Sequence, residues 1–281
     1  MAADLHIHTT CSDGTYTPEQ IIKVAKKVGL KTVAITDHDT TAGLAEALTA
    51  SAKMGVTVIP GIEFTSETSE LEVHILAYFM DYNNPELLAI LEKLRNARKD
   101  RIYKITDKLK DLGVRIKARE VIREARGGCP GRPHVARVLI KEGFCKNFRE
   151  AFSKYLAFGG PAYVGHYKLT PQDTVKIIRQ AKGIPALAHP GGFARNKQEE
   201  QIDKLIPELV EAGLLGIEAL YPTHTQKQTE HFLQLTKQYN LLATGGSDFH
   251  GDSGVREVIF GEFTLADSYV DALTQKAKEL H

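Results

Sequence analysis

The chain has 281 residues, 42% hydrophobic and 25% charged, with a net charge of +1, values that favour neither a disordered nor a membrane class and fit a soluble enzyme-sized fold. No apolar run reaches the roughly 18–20 residues needed to span a bilayer. The N-terminus enters Asp4-Leu5-His6-Ile7-His8 without a signal-peptide pattern, so a cytoplasmic protein with no membrane partner is expected.

In chain order, the first strand is read at Leu5 to His8. Thr17-Pro18-Glu19-Gln20 then announces a helix as a capping box with proline in the first turn, and Gly29 stops it. Thr32 to Thr36 reads as a second strand, Leu44 to Met54 as a helix closed by Gly55, Val56 to Glu63 as a third strand and Val73 to Phe79 as a fourth. From Leu88 to Tyr167 no strand is predicted, only helical stretches such as Leu88 to Leu112 and Pro133 to Glu142. Short apolar runs at Ile184 to Ala188, Leu214 to Ala219 and Leu241 to Thr244 complete a set of seven strands.

Strands alternating with helices imply a parallel arrangement, which fits a barrel or a doubly wound open sheet equally well. The strand-free stretch reads as a helical insertion over residues 93–167, between barrel or sheet segments at 1–92 and 168–281. Residues 93–154 hold 19 Lys and Arg against 7 Asp and Glu, which suggests a polyanionic ligand beside an acidic, histidine-rich remainder. The cysteines Cys11, Cys129 and Cys145 form no C-x-x-C pair and read as ordinary thiols.

Nearly all metal-capable side chains fall at the C-terminal ends of predicted strands. His6 and His8, two apart on an extended chain, project to the same side. Asp13 follows in the loop. Asp37-His38-Asp39 ends the second strand, Glu63 the third, His189 the fifth, Glu218 the sixth, and Asp248 with His250 the seventh, while His74 lies in the fourth. That rim is where α/β barrels build active sites, and so many imidazoles and carboxylates together demand cations. Mixed nitrogen and oxygen donors suit Zn2+, Mn2+ or Fe2+.

These segments, His6-Ile7-His8 with Ser12-Asp13-Gly14, Thr36-Asp37-His38-Asp39, Gly61-Ile62-Glu63, His74, Ala188-His189-Pro190 and Asp248-Phe249-His250, resemble the successive motifs of the polymerase and histidinol phosphatase (PHP) family. The resemblance implies a distorted seven-stranded (β/α)7 barrel with two or three divalent metals. It implies that His6, His8, Glu63 and Asp248 hold one metal, Glu63, His74 and His189 a second, and Asp13, His38 and His250 a third. Many relatives carry histidine in place of Asp13, a change that hardens the ligand toward oxygen-preferring ions. Glu63, Asp248 and His189 are the expected catalytic residues, in a phosphoester hydrolysis driven by a hydroxide that bridges the metals. Asp37 and Asp39 are assigned behind the ligands, each accepting an imidazole N–H, or else capping the following helix.

Arg132 and His134 in the insertion, Lys168 just after it, Arg195 past the Pro190-Gly191-Gly192 turn and His224 past the sixth strand are candidate substrate contacts. The Arg-Pro-His insertion resembles the family branch acting on nucleotides, which implies nucleoside 3′,5′-bisphosphates, AMP, or short 5′-phosphorylated RNA or single-stranded DNA as substrates, with no obligate protein partner. A histidinol-phosphate phosphatase is the enzyme alternative, and the basic insertion argues against its cationic substrate. An amidohydrolase-type deaminase shares only the H-x-H motif. A non-catalytic metal-stabilised accessory module is the alternative of another class, against which the complete ligand set stands.

Overall fold

The computed structural model of the chain describes residues 2–191, 198–251 and 258–280. Its elements run β1 (Ala2–Ile7), α1 (Pro18–Lys27), β2 (Leu30–Ile35), α2 (Leu44–Met54), β3 (Thr57–Glu67), β4 (Glu72–Tyr78), α3 (Pro85–Asp111), α4 (Ala118–Glu124), α5 (Arg132–Lys141) and α6 (Phe148–Ala151). A π-helical turn follows at Phe152–Leu156. The second part runs α7 (Pro171–Gln180), β5 (Ile184–Leu187), α8 (Gln198–Ala212), β6 (Gly216–Leu220), α9 (Gln226–Gln238), β7 (Leu242–Gly245) and α10 (Asp267–Leu280). No described helix is long and apolar enough to cross a membrane.

Local signals act as the sequence reading expects. Thr17 accepts from the Gln20 amide at 3.2 Å while the Gln20 side chain accepts from the Thr17 amide at 2.8 Å, which satisfies two orphan donors at the start of α1. Gly55, at φ 73°, closes α2 in the left-handed conformation that glycine adopts without penalty.

The seven strands lie side by side in chain order. The sheet is not wholly parallel, however: β4 runs antiparallel to both β3 and β5. A four-residue connection at 68–71, tied by the Thr68 amide to the Leu71 carbonyl at 2.8 Å, is too short for a crossover helix and makes a hairpin instead. Between its outer edges the sheet curls without a closing ladder among the described residues. An isolated parallel bridge joins Ile7 to Phe249, with the His8 amide on the Phe249 carbonyl at 2.9 Å. This is the distorted barrel that the motifs imply.

Period-two alternation sorts strand residues between two cores: Val33, Ile35, Ile62 and Phe64 pack into the larger cluster under the helices, and Ala34, Ile59 and Leu76 into a smaller one. The helical insertion has a core of its own, in which Ile102, Ile105 and Leu109 meet Val135, Leu139 and Leu156. Helix α3 belongs to both bodies. Its first half lays Leu87, Leu91 and Leu94 on the barrel core, its second half enters the insertion core, and Arg98 and Arg101 are buried where the two halves meet.

Candidate metal centre

The rim brings together all of the predicted donors. His6 lies in β1 and His8 just past it. Glu63 sits within β3, which continues to Glu67, and His74 is the third residue of β4. At Asp39, His189 and Asp248 the backbone turns into the left-handed region, with φ of 50°, 25° and 53°, strain of the kind that concentrates at functional sites. Gly246 lets the chain after β7 press on β1, since a Cβ there would stand 2.4 Å from the His6 Cβ.

Four groups of converging side chains result: His6, His8, Glu63 and Asp248; His8, Asp13, His38 and His250; His38, Glu63 and His74; and His6, His189 and Glu218. Within each, the donor atoms all lie within 4.8 Å of one another. Glu63 joins them. Its Oε1 lies 2.7 Å from His74 Nδ1 and 2.9 Å from His189 Nε2, while its Oε2 lies 3.1 Å from both His8 Nε2 and His38 Nδ1. A carboxylate that offers each oxygen to a different set of imidazoles has the arrangement required of a bridging ligand.

The chemistry of this donor set fits divalent cations. His6 Nε2 and His8 Nε2 stand 3.1 Å apart, and Asp248 Oδ1 faces them at 3.5 and 3.2 Å. Because His6 engages the Glu218 carboxylate through Nδ1 at 3.0 Å, its Nε2 presents a lone pair in the neutral ring. Such lone pairs repel one another unless a cation lies among them. Asp13 Oδ1, Glu63 Oε2 and His38 Nδ1 are also buried without a hydrogen-bond partner. Burial alone would depress the His6 and His8 rings, but the surrounding carboxylates outweigh it and raise both, His8 to about 10. The cage thus attracts positive charge, which protons or metal ions can supply. The donor groups fit a centre of more than one metal ion.

The groups that hold these ligands differ from those expected. Asp37 receives the Thr9 amide, the Thr9 hydroxyl and the Ser12 hydroxyl at 2.7, 2.7 and 2.6 Å, so it reaches His8 only through Ser12, whose Oγ lies 3.3 Å from His8 Nδ1. Asp39 accepts the Thr65 amide and the Arg98 guanidinium. Neither carboxylate takes an imidazole N–H, and neither caps α2, whose N-cap is Gly43. The direct imidazole partner is Glu218, which also accepts the His189 amide at 2.7 Å. Asp4, buried under the rim, ties the His6 amide to the Ser247 amide and hydroxyl, and Tyr221 donates to Asp248 at 2.9 Å. The strand-end position of Glu218 is visible in the sequence; Asp4 and Tyr221 carry no comparable signal.

A cleft of about 160 Å3 opens over the donors, lined by Glu63, His74 and His250 among others of the barrel and by Arg101, Arg132 and Phe152 of the insertion. Arg132 is in place there, held by the Glu72 carboxylate at 3.0 Å. Lys168 spends its buried ammonium on Glu72 at 2.6 Å and Glu67 at 3.0 Å. His134 is not among the cleft-lining residues. Its Nδ1 accepts the Gly131 amide at 3.0 Å and its ring bonds the Ser12 backbone, so it sews α5 to the loop that carries Asp13. His224 accepts the Gly191 amide through Nε2 and donates to the Ala219 carbonyl through Nδ1, both at 3.1 Å, which uses the whole ring to fix the turn after His189. Arg195 lies outside the described residues. Arg101, which sequence reading does not single out from its basic neighbours, is 4% exposed and lines the cleft with an Nη2 that lacks a hydrogen-bond partner.

Known proteins resemble this chain over most of its length. The family model for the PHP domain matches residues 4–164. The chain is 34% identical to a 3′,5′-nucleoside bisphosphate phosphatase of Chromobacterium violaceum, over 89% of this chain and 88% of that one. It is 32% identical to the 5′-3′ exoribonuclease Rnm of Escherichia coli, over 88% and 84%. A phosphoribosyl 1,2-cyclic phosphate 1,2-diphosphodiesterase of Eggerthella lenta is 33% identical, over 90% and 96%. Among solved structures, a protein of Bifidobacterium adolescentis described as a metal-dependent phosphoesterase superposes with a TM-score of 0.89 at 30% identity, covering 98% of this chain and 96% of the other.

Proposed function

The chain belongs to the PHP domain family and is a metal-dependent phosphoesterase, and from that premise we propose that it hydrolyses phosphate esters of nucleotides or short oligonucleotides. The observation that carries the substrate class is the pairing of two unlike linings in one cleft: a metal-fitting cage on the rim and the Arg101 and Arg132 guanidiniums of the insertion. A cationic metabolite such as histidinol phosphate would meet Arg101 and Arg132, which repel it. A nucleotide carrying a second phosphate, or a phosphodiester continuing away from the scissile bond, brings the anion that the unpartnered Arg101 Nη2 lacks.

Two or three ions of manganese, ferrous iron or zinc are proposed, held by His6, His8, Glu63 and Asp248, by Glu63, His74 and His189, and by Asp13, His38 and His250. When bound, they supply Lewis acidity to the phosphoryl oxygens and lower the pKa of the attacking water. The chain's own residues do the rest. Glu218 and Ser12 fix the orientation of the His6 and His8 rings, and Glu72 aims Arg132 into the cleft. Arg101 and Arg132 orient the anionic substrate and balance its charge. A cytoplasmic setting is part of the same proposal.

The test is release of phosphate or nucleotide, with manganese and with chelator, from adenosine 3′,5′-bisphosphate, AMP, a short 5′-phosphorylated RNA and histidinol phosphate. Chelator-sensitive turnover of the nucleotide substrates is expected. Preference for histidinol phosphate would overturn the substrate class and leave the metal centre standing, whereas turnover indifferent to chelator would overturn the centre.

A further inference from the structure

Beyond the metal cage and the arginines, the insertion carries an aromatic feature that phosphoester hydrolysis does not use. Phe158 is 72% exposed, the most exposed of the large hydrophobic residues described. Its ring packs on Tyr163, with centroids 5.0 Å apart and planes at 60°. Tyr163 in turn touches both cleft cations: the Arg101 guanidinium lies 5.3 Å from its ring centroid and that of Arg132 5.6 Å. A continuous path therefore leads from the cleft, through two guanidiniums and one partly buried ring, to a solvent-facing ring at its end.

Phe158 is also held in place. It follows the π-helical turn at Phe152–Leu156, an irregularity frequent at functional sites. The Ala157 amide bonds the Phe152 carbonyl and the Gly160 amide bonds the Ala157 carbonyl, each at 2.8 Å. A Cβ on Gly160 would come within 2.8 Å of the Tyr155 carbonyl oxygen, so this tight return of the chain requires glycine. An apolar ring kept in water by a constrained loop, beside a phosphate-binding wall, matches the pairing of cations and aromatics that single-stranded nucleic acids meet, where every base offers a face for stacking.

We propose that Phe158, backed by Tyr163, is the nucleobase platform of this protein, a positioning element on which the base of a bound nucleotide stacks while Arg101 and Arg132 grip its phosphate. The proposal rests on the nucleotide reading above and adds to it a recognition of the base, independent of base identity. AMP and ribose 5-phosphate share a phosphomonoester and differ in the base, so together they isolate this contact.

The chain contains no tryptophan, so Phe158→Trp provides a single reporter that keeps a stacking ring. AMP is expected to quench its fluorescence in the metal-loaded protein, and ribose 5-phosphate to leave it unchanged. In steady-state kinetics, Phe158→Ala is expected to raise KM for AMP roughly 5- to 100-fold at unchanged kcat, with no change for ribose 5-phosphate and with recovery in Phe158→Trp. Equal effects on both compounds, or none on AMP, would overturn the platform. If the wild-type protein turned over no phosphate ester, the hydrolytic reading would fail, and quenching by AMP alone would still decide the platform.

Discussion

The metal cage and the cationic wall line the same cleft, yet they are assembled in opposite ways. The cage draws donors from across the chain, from His6 to His250, carried by several strands and the segments that follow them, so its geometry is a property of the whole barrel. The wall comes from two neighbouring helices, with Arg101 on α3 and Arg132 at the start of α5, and its geometry is a property of local packing. Charge differs in the same sense: the cage is a concentration of donors that lack positive charge, and the wall is positive charge only partly paired. A site divided in this way separates catalysis from recognition, because one half can change without disturbing the other.

The largest test of that division is Glu63→Ala. Loss of the carboxylate that links the donor sets is expected to lower kcat/KM by about a thousandfold or more, and metal analysis should show fewer ions bound per chain. Retention of the full metal content would break the bridging assignment. The next effect concerns the seam between the halves. Burial holds the His134 imidazole down at about 4 from an ordinary 6.5. A base with a depressed folded value binds fewer protons than the unfolded chain, so its contribution is full above pH 6.5 and is lost as pH falls toward 4. Chemical denaturation should therefore show up to about 3 kcal/mol of pH-dependent stability in that window, removed by His134→Gln; an unchanged profile in the variant would place the dependence elsewhere.

Smaller effects sharpen the comparison. Glu218→Gln keeps the shape of the group behind His6 but removes its charge, and titration calorimetry should report metal binding weakened about 10- to 100-fold. Arg132→Ala is expected to raise KM for a nucleotide substrate about tenfold, with metal content and kcat nearly unchanged. If Arg132→Ala instead lowered metal content, the two halves would not be separable.

The same contrast explains what the sequence discloses. Donors at strand ends are legible because a buried strand is a short apolar run and a histidine or carboxylate that stops it stands out, as at His6-Ile7-His8 and Asp248. The wall is not legible in that way. Arg101 is one of many basic residues in a helical stretch, and only the crossing of α3 between two cores buries it against the cleft. His134 and His224 mislead for a related reason: their positions suit contact with substrate, but a backbone amide and a carbonyl engage both nitrogens of each ring, which no spacing rule reveals. Asp37 supports the centre through Ser12, one partner further away than a direct imidazole bond, and the Asp39 carboxylate goes to Arg98 and the Thr65 amide instead. The reversal of β4 also escapes the pattern, since a strand reads the same in either direction.

That reversal governs how the insertion is mounted. Because β4 descends from the rim, α3 begins at the foot of the barrel, and its 27 residues, about 40 Å of helix, climb the outer wall and continue above the rim. The helical cap is thus not hung from a rim loop like a hinged lid. It stands on a mast stepped at the base, clamped along its lower half by Leu87, Leu91 and Leu94 and pinned at rim height where Arg98 meets Asp39. A cap so mounted, and tied again to the barrel where Arg132 meets Glu72 and Cys129 meets Cys11, is expected to move by a small flexing about that pin and not by an opening and closing of the mouth.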